Sequence, residues 1–232
     1  MNILVTGTSR GIGAAIAVAL RDHNLVGHAT TAGEGRIAAD LAQPDAAARL
    51  WAEALERLGG RVDVLVNNAG LFEDNPLDAG HEAWVANWER TQRINLTSAA
   101  ELCRLAVLHW QERGEGGRIV NVASRAAHRG DSPKHWHYAA AKGGMVAMTK
   151  SIARAYAGEG ILAFAVSPGF VQTGMAEDYL ASRGGDGILR DIPLGRVATS
   201  EEVAETVRWL ATDAPASLTG ATLDVNGASY VR

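Results

Sequence analysis

The chain has 232 residues, 47% of them hydrophobic and 21% charged, and a net charge of −4. That length can bury a large core without disulfides or a structural metal, and a mildly acidic balance with no basic run gives no electrostatic basis for holding nucleic acid. The single cysteine, Cys103, excludes an intramolecular disulfide; in its apolar helical stretch it reads as a small core residue in a reducing compartment.

The opening residues 2–5 already read as a strand, with no basic leader ahead of a long apolar segment. No run is long enough to span a bilayer, so the expected location is cytoplasmic, away from membranes. The first strand, residues 3–6, runs into Thr6-Gly7-Thr8-Ser9-Arg10-Gly11-Ile12-Gly13, which opens a helix over 12–22. Glycines there permit a tight turn and close approach of backbone to a pyrophosphate resting on the helix N-terminus. The spacing is GxxxGxG rather than the general GxGxxG. Strands follow at 25–30 and 36–39, and the five residues between them are too few for a crossover helix. The sheet is expected to be thinnest there.

Further along, the pattern predicts helices over 44–58, about 81–113, 136–157 and 200–212, and strands over 62–67, 118–123, 161–167 and 222–225. Thr199 and Glu202 form the signature of a capping box for the last helix. Strands that are almost wholly apolar belong to a parallel sheet covered on both faces. The expected architecture is therefore α/β: a doubly wound, Rossmann-type parallel sheet of about seven strands, with helices on both faces and one domain across 1–232. Residues 170–193, with Gly174, Gly184, Gly185 and Gly187, read as a lid-like segment.

Tyr138 and Lys142 stand four apart in a good helix sequence, so both side chains emerge on one face. A phenol beside an ammonium is a proton-transfer pair, and the cation is expected to lower the phenol pKa. His128, His135 and His137 crowd the loop before the Tyr. With one Cys and no acid at ligand spacing, no metal site is expected; Trp136 or His137 is expected to line a substrate pocket.

Taken together, these motifs resemble the short-chain dehydrogenase/reductase family over essentially the whole length. The resemblance rests on residues 6–13, on Asn67-Asn68-Ala69-Gly70, on Asn95, Ser124 and the Tyr138/Lys142 pair, and on Pro168-Gly169 followed by Thr173. The tail, over 192–196 and 220–227, resembles the 3-oxoacyl-[acyl-carrier-protein] reductase branch. The resemblance implies hydride transfer between a nicotinamide and a carbonyl/alcohol substrate, most naturally a 3-oxoacyl thioester. A small cyclic or aromatic ketone and a catalytically silent NADP sensor are the alternatives. Tyr138 would be the general acid or base, Lys142 its electrostatic partner and ribose holder, Ser124 the carbonyl-oxygen donor, and Asn95 a link in a water relay. Tyr138 follows Ser124 by 14 positions, where the resemblance implies 13. The cofactor would lie along Gly7, Ser9, Arg10, Gly11, Ile12, Gly13, Thr30, Asp40, Leu41, Asn68, Ala69, Gly70, Tyr138, Lys142, Pro168, Gly169, Val171 and Thr173. No acid stands at the end of the second strand before Glu34, while Arg10 and Thr30 or Thr31 can meet a 2′-phosphate. NADP is therefore expected over NAD. A homotetramer paired through the long helix and the Tyr138 helix is implied, with Met145 and Met148 as surplus apolar residues. Arg125, Arg129 and Lys134 could offer a basic patch to an acidic carrier protein.

Overall fold

A computed structural model describes residues 1–172 and 185–232. Its centre is a parallel sheet of seven strands: β1 (Asn2–Val5), β2 (Asn24–Ala29), β3 (Arg36–Ala38), β4 (Val64–Asn67), β5 (Gly117–Val122), β6 (Ile161–Pro168) and β9 (Thr222–Val225). Two short strands between the last pair, β7 (Val171–Gln172) and β8 (Ala198–Thr199), form a separate parallel ladder. The order across the large sheet is β3-β2-β1-β4-β5-β6-β9, so the winding reverses between β1 and β4. In such sheets ligands bind beyond the carboxyl ends of the strands at that reversal.

Because successive strand residues face opposite ways, apolar strands feed two cores at once. Ile3, Val5, Val64, Val66, Val120 and Val122 pack on one face with Phe164, Val203, Val207 and Leu210. Leu4, Leu65 and Ile119 pack on the other with Leu50, Trp51, Leu102 and Trp110. Helices α1 (Gly11–Ala19) and α7 (Ser200–Thr212) lie on the first face. Helices α2 (Ala46–Arg57), α4 (Ser98–Arg113) and α6 (Trp136–Tyr156) lie on the second. The capping box is present, with Thr199 Oγ1 accepting from the Glu202 amide while the Glu202 carboxylate accepts from Thr199 N–H. Cys103 is buried in the second core, and burial pushes its thiol up to about 12.

The short link after β2 works because β3 is only three residues long. Register pairs Gly27 with Arg36, so the chain needs to step back only two strand positions before turning forward again. One long helix was expected over 81–113, but the structure divides it. Helix α3 (His81–Gln92) passes into a π-helical turn, Arg93–Thr97, and then α4. Such turns recur at functional sites because the extra residue re-aims a side chain, and this one carries Asn95. Met145 is fully buried against Ala99 and Ala165, so it belongs to the sheet packing rather than to a free helix face. Among the described residues no helix is long and apolar enough to cross a membrane.

Candidate active site

The glycine loop between β1 and α1 is built by backbone crowding. Gly7 has φ +73°, and a Cβ there would sit 2.8 Å from Ala69 Cα. A Cβ on Gly13 would sit 1.9 Å from Gly7 O, so no side chain fits between the turn and the helix start. Asn68 braces this turn from the end of β4. Its Nδ2 donates to Thr6 O and Gly7 O, both at 3.0 Å, while Thr6 Oγ1 accepts from the amides of Asn68 and Ala69. Ser9 and Arg10 are exposed beyond the turn; Arg10 O accepts from Ala14 N–H at 3.3 Å, while the Arg10 guanidinium has no partner among the described residues. The cradle has the shape and the free α1 N-terminus that a dinucleotide pyrophosphate requires.

Around that cradle, Thr30 and Asp40 are exposed, with Asp40 Oδ1 accepting from Ala42 N–H. Leu41 and Val171 point into the cores, so only their backbones can face a ligand. Pro168 ends β6, and Gly169 presses on Asn226 so closely that a Cβ would meet its Cβ at 2.8 Å. Thr173, and most of the segment expected as a lid, lie outside the described residues. A second cation, which the sequence motifs do not single out, stands at the ribose end. Arg36 opens β3 and lays its guanidinium against Gly33, with its Nε buried and without a hydrogen-bond partner. Its signal was the short link from β2, which can only fold back over this side chain.

Four strand and helix ends then bring the chemistry-bearing residues together. Ser124 follows β5 and is 9% exposed; its Oγ accepts from Ala126 N–H at 3.1 Å and starts the short helix α5 (Ala126–Arg129). Tyr138 and Lys142 lie on α6, one turn apart, as their spacing predicts. Lys142 is almost fully buried, and its ammonium donates to Val122 O at 2.8 Å. Asn95 is fully buried. Its Oδ1 accepts from Leu71 N–H and its Nδ2 donates to Leu71 O, both at 2.8 Å. A Cβ on Gly70 would sit 3.3 Å from Asn95 Oδ1 and 3.6 Å from Lys142 Nζ, so Gly70 closes the floor between them. A relay through Asn95 has to use the second lone pair of an oxygen already bonded to Leu71.

The electrostatics run opposite to the expectation from spacing alone. Tyr138 is half-buried, and crowding around it pushes the phenol up to about 12, although a hydrogen bond with Ser124 pulls the other way. Lys142 does not offset this, because its ammonium is 5.9 Å from the Tyr138 ring centre and turned to Val122 O. Its own burial lowers it to about 8. Spacing places two side chains on one face but does not determine how well each is solvated, and here desolvation dominates. Tyr138 is therefore protonated at neutral pH, the state a proton donor needs.

The stretch between Ser124 and Tyr138 holds α5 and a turn at Gly130 with φ +75°. The loop that follows is bonded to the one after β4: Asn75 N–H donates to Lys134 O at 2.9 Å, and Lys134 pairs with Asp74 at 2.9 Å. Phe72, unremarked in the sequence, is the result. Its ring stacks on His135 at 3.9 Å and meets the Tyr138 ring edge-on at 4.8 Å. Trp136 instead turns outward, 51% exposed, towards Trp84 and Trp88, and His137 is buried beside them. Phe72 and His135 are thus the rings beside Tyr138, while Trp136 and His137, expected to line a substrate pocket, line a small cavity with Trp84 and Trp88, because alternate residues at the start of α6 face different neighbours. Arg129 pairs with Asp191 at 2.8 Å, and Arg125 lies over the Phe170 ring with Asp191 at 3.8 Å. The three cations expected as a basic patch thus each face a carboxylate. Among the described residues no cluster of three His, Cys, Asp or Glu could hold a metal ion.

A family model described as "Enoyl-(Acyl carrier protein) reductase" matches residues 9–228. The chain is also 37% identical to the 3-oxoacyl-[acyl-carrier-protein] reductase of Synechocystis, over 97% of this chain and 94% of that one. The chain belongs to the short-chain dehydrogenase/reductase family. Similar proteins named 3-oxoacyl-[acyl-carrier-protein] reductase FabG occur in Vibrio cholerae, 37% identical over 98% of this chain and 96% of that one, and in Escherichia coli, 35% identical with the same coverage. Membership in the short-chain dehydrogenase/reductase family makes this an oxidoreductase of the carbonyl/CH–OH class with a nicotinamide cofactor.

Proposed function

We propose that this protein is an NADP-dependent reductase of a 3-oxoacyl thioester presented by an acyl carrier protein. The observation that carries the reading is the convergence of Ser124, Tyr138 and Lys142 at the carboxyl edge of β5, beside the glycine cradle. The family description and the relatives' names agree on acyl carrier chemistry but differ on the bond reduced. A hydrogen-bonded Ser–Tyr pair suits a carbonyl oxygen that gains negative charge, which favours the ketone.

When bound, the nicotinamide supplies the hydride. Gly7, Gly11, Gly13 and the Asn68-Ala69-Gly70 floor would hold the dinucleotide, with Ser9, Ile12, Asp40, Leu41, Pro168, Gly169 and Val171 along its course. Ser124 donates a hydrogen bond to the substrate carbonyl oxygen, and Tyr138 gives that oxygen its proton. The buried Lys142 ammonium, one turn along α6, would hold the ribose side of the site and pass a proton back towards Tyr138. Asn95 fixes Leu71 and offers one lone pair to a water that returns protons to Lys142. The chain acts in the cytoplasm as a homotetramer, and light scattering showing a monomer at micromolar concentration would refute that assembly.

Cofactor choice follows from Arg10, Thr30 and Arg36, and from the missing acid at the end of β2. NADPH is expected to be preferred over NADH in kcat/KM. Arg10→Ala is expected to shrink the preference by about tenfold, the worth of one charge-assisted hydrogen bond to a phosphate. Equal kcat/KM for the two cofactors in the unmodified protein would defeat this part of the reading.

A second reading, a small cyclic or aromatic ketone, draws on the Phe72–His135 wall, which suits a flat substrate. The ion-paired Arg129 and Lys134 also weaken the case for a free carrier-protein patch there. Comparing kcat/KM for a short 3-oxoacyl thioester with a panel of cyclic ketones separates the two. The acyl reading predicts the thioester to be the better substrate; a thioester used an order of magnitude less efficiently than the best ketone overturns it.

A further inference from the structure

His28 sits on β2 and is 3% exposed, a burial that a neutral imidazole tolerates and a charged one does not. Its Nδ1 accepts from the Gly7 amide at 3.2 Å, and its Nε2 lies 2.9 Å from Ala39 O. An amide can only donate and a carbonyl can only accept, so these two neighbours require the tautomer with the proton on Nε2. The same residue holds the loop through its backbone. His28 O accepts from Thr8 N–H at 2.8 Å and from Thr8 Oγ1 at 3.3 Å.

This one residue therefore joins three segments. Gly7 and Thr8 form the turn of the glycine cradle, β2 carries the ribose end, and Ala39 immediately precedes Asp40-Leu41. We propose that His28 is a positioning residue for the dinucleotide, fixing the glycine turn against the Asp40 corner through Gly7 N–H and Ala39 O. The proposal rests on the dinucleotide reading of the cradle. Gly7 cannot relax elsewhere, because Asn68 Nδ2 holds its carbonyl and Ala69 crowds its α-carbon. The Gly7 amide is consumed by the imidazole, so the loop presents its phosphate-facing donors from later residues. Burial lowers the His28 pKa, which keeps Nδ1 free to accept at neutral pH.

The test pairs apolar and polar replacements. His28→Leu fills the space but leaves the Gly7 amide and Ala39 O unpaired; His28→Asn restores an acceptor near Gly7; His28→Gln reaches towards Ala39 instead. By calorimetric titration of NADPH, the Leu variant is expected to bind about tenfold more weakly or worse, and the Asn variant within about threefold of wild type. At saturating NADPH, kcat of the Leu variant is expected to stay close to wild type, since no proton or hydride donor is touched. Side-chain nitrogen NMR of the cofactor-free protein is expected to show His28 protonated on Nε2 only. If the Leu variant does not fold, the other two decide: Asn is expected to bind NADPH more tightly than Gln. NADPH affinity unchanged in the Leu variant, Asn no better than Leu or Gln, or an Nδ1-protonated tautomer would overturn the proposal. Failure of the wild type to bind either NADPH or NADH would instead defeat the dinucleotide reading beneath it.

Discussion

Tyr138→Phe is expected to bind NADPH nearly as tightly as wild type while losing about 100- to 10,000-fold in kcat, the usual worth of general acid catalysis. The substitution keeps the ring that packs edge-on against Phe72 and removes only the hydroxyl. The hydroxyl is held protonated by burial and bonded to Ser124, so its loss removes the proton donor without disturbing the cofactor cradle. Steady-state kinetics at saturating cofactor, alongside a binding titration, check the split. A variant with wild-type kcat would remove Tyr138 from the mechanism.

Lys142→Met carries the second large effect and shows itself in two measurements. Turnover is expected to fall about 100-fold or more, because the ribose side of the site loses its buried cation and Tyr138 its route to reprotonation. Stability is expected to move the other way below pH 8. Burial holds the folded-state ammonium at about 8, below its ordinary 10.5. Between those values the folded chain is neutral there and the unfolded chain is charged. The unfolded state then binds the extra proton, and wild-type stability climbs with pH across the window. Below the folded value both states are charged, and the fold carries the whole cost of the buried ammonium. The Met variant has no such dependence. Its stability advantage over wild type is expected to shrink by about 2 kcal/mol between pH 7.5 and 9.5. Tyr138 has the opposite sign, since its raised pKa removes stability as pH climbs from 10 to 12, and so it stays out of this range. Denaturant unfolding of both proteins at the two pH values decides the matter; a constant difference would mean that Lys142 is not desolvated.

Most of the sheet is legible in the sequence, because fully apolar strands separated by amphipathic helices admit few other arrangements. The seven strands of the large sheet lie where the pattern puts them, and the Thr199–Glu202 box appears as written. The misses have a common cause. The π turn at Arg93–Thr97 changes one hydrogen-bonding step inside a continuous helical pattern, and composition carries no trace of that. The two-residue strands at Val171–Gln172 and Ala198–Thr199 are defined only by each other. Phe72 and His135 become neighbours of Tyr138 because two loops distant in sequence are bonded at Asn75 and Lys134. The pKa directions of Tyr138 and Lys142 depend on desolvation, which helical spacing does not encode. Nothing in the sequence singles out His28, because its two ring bonds are tertiary.

The central claim is direct hydride transfer to a 3-oxoacyl carbonyl with proton donation by Tyr138. Its sharpest test is incubation of the protein with NADPH carrying deuterium at both C4 positions of the nicotinamide and a short 3-oxoacyl thioester, followed by mass spectrometry of the product. The account predicts a 3-hydroxyacyl thioester carrying deuterium at C3 with wild-type protein, and almost none formed by the Tyr138→Phe variant. A 3-hydroxy product without the label, or no product while NADPH is bound, would contradict it.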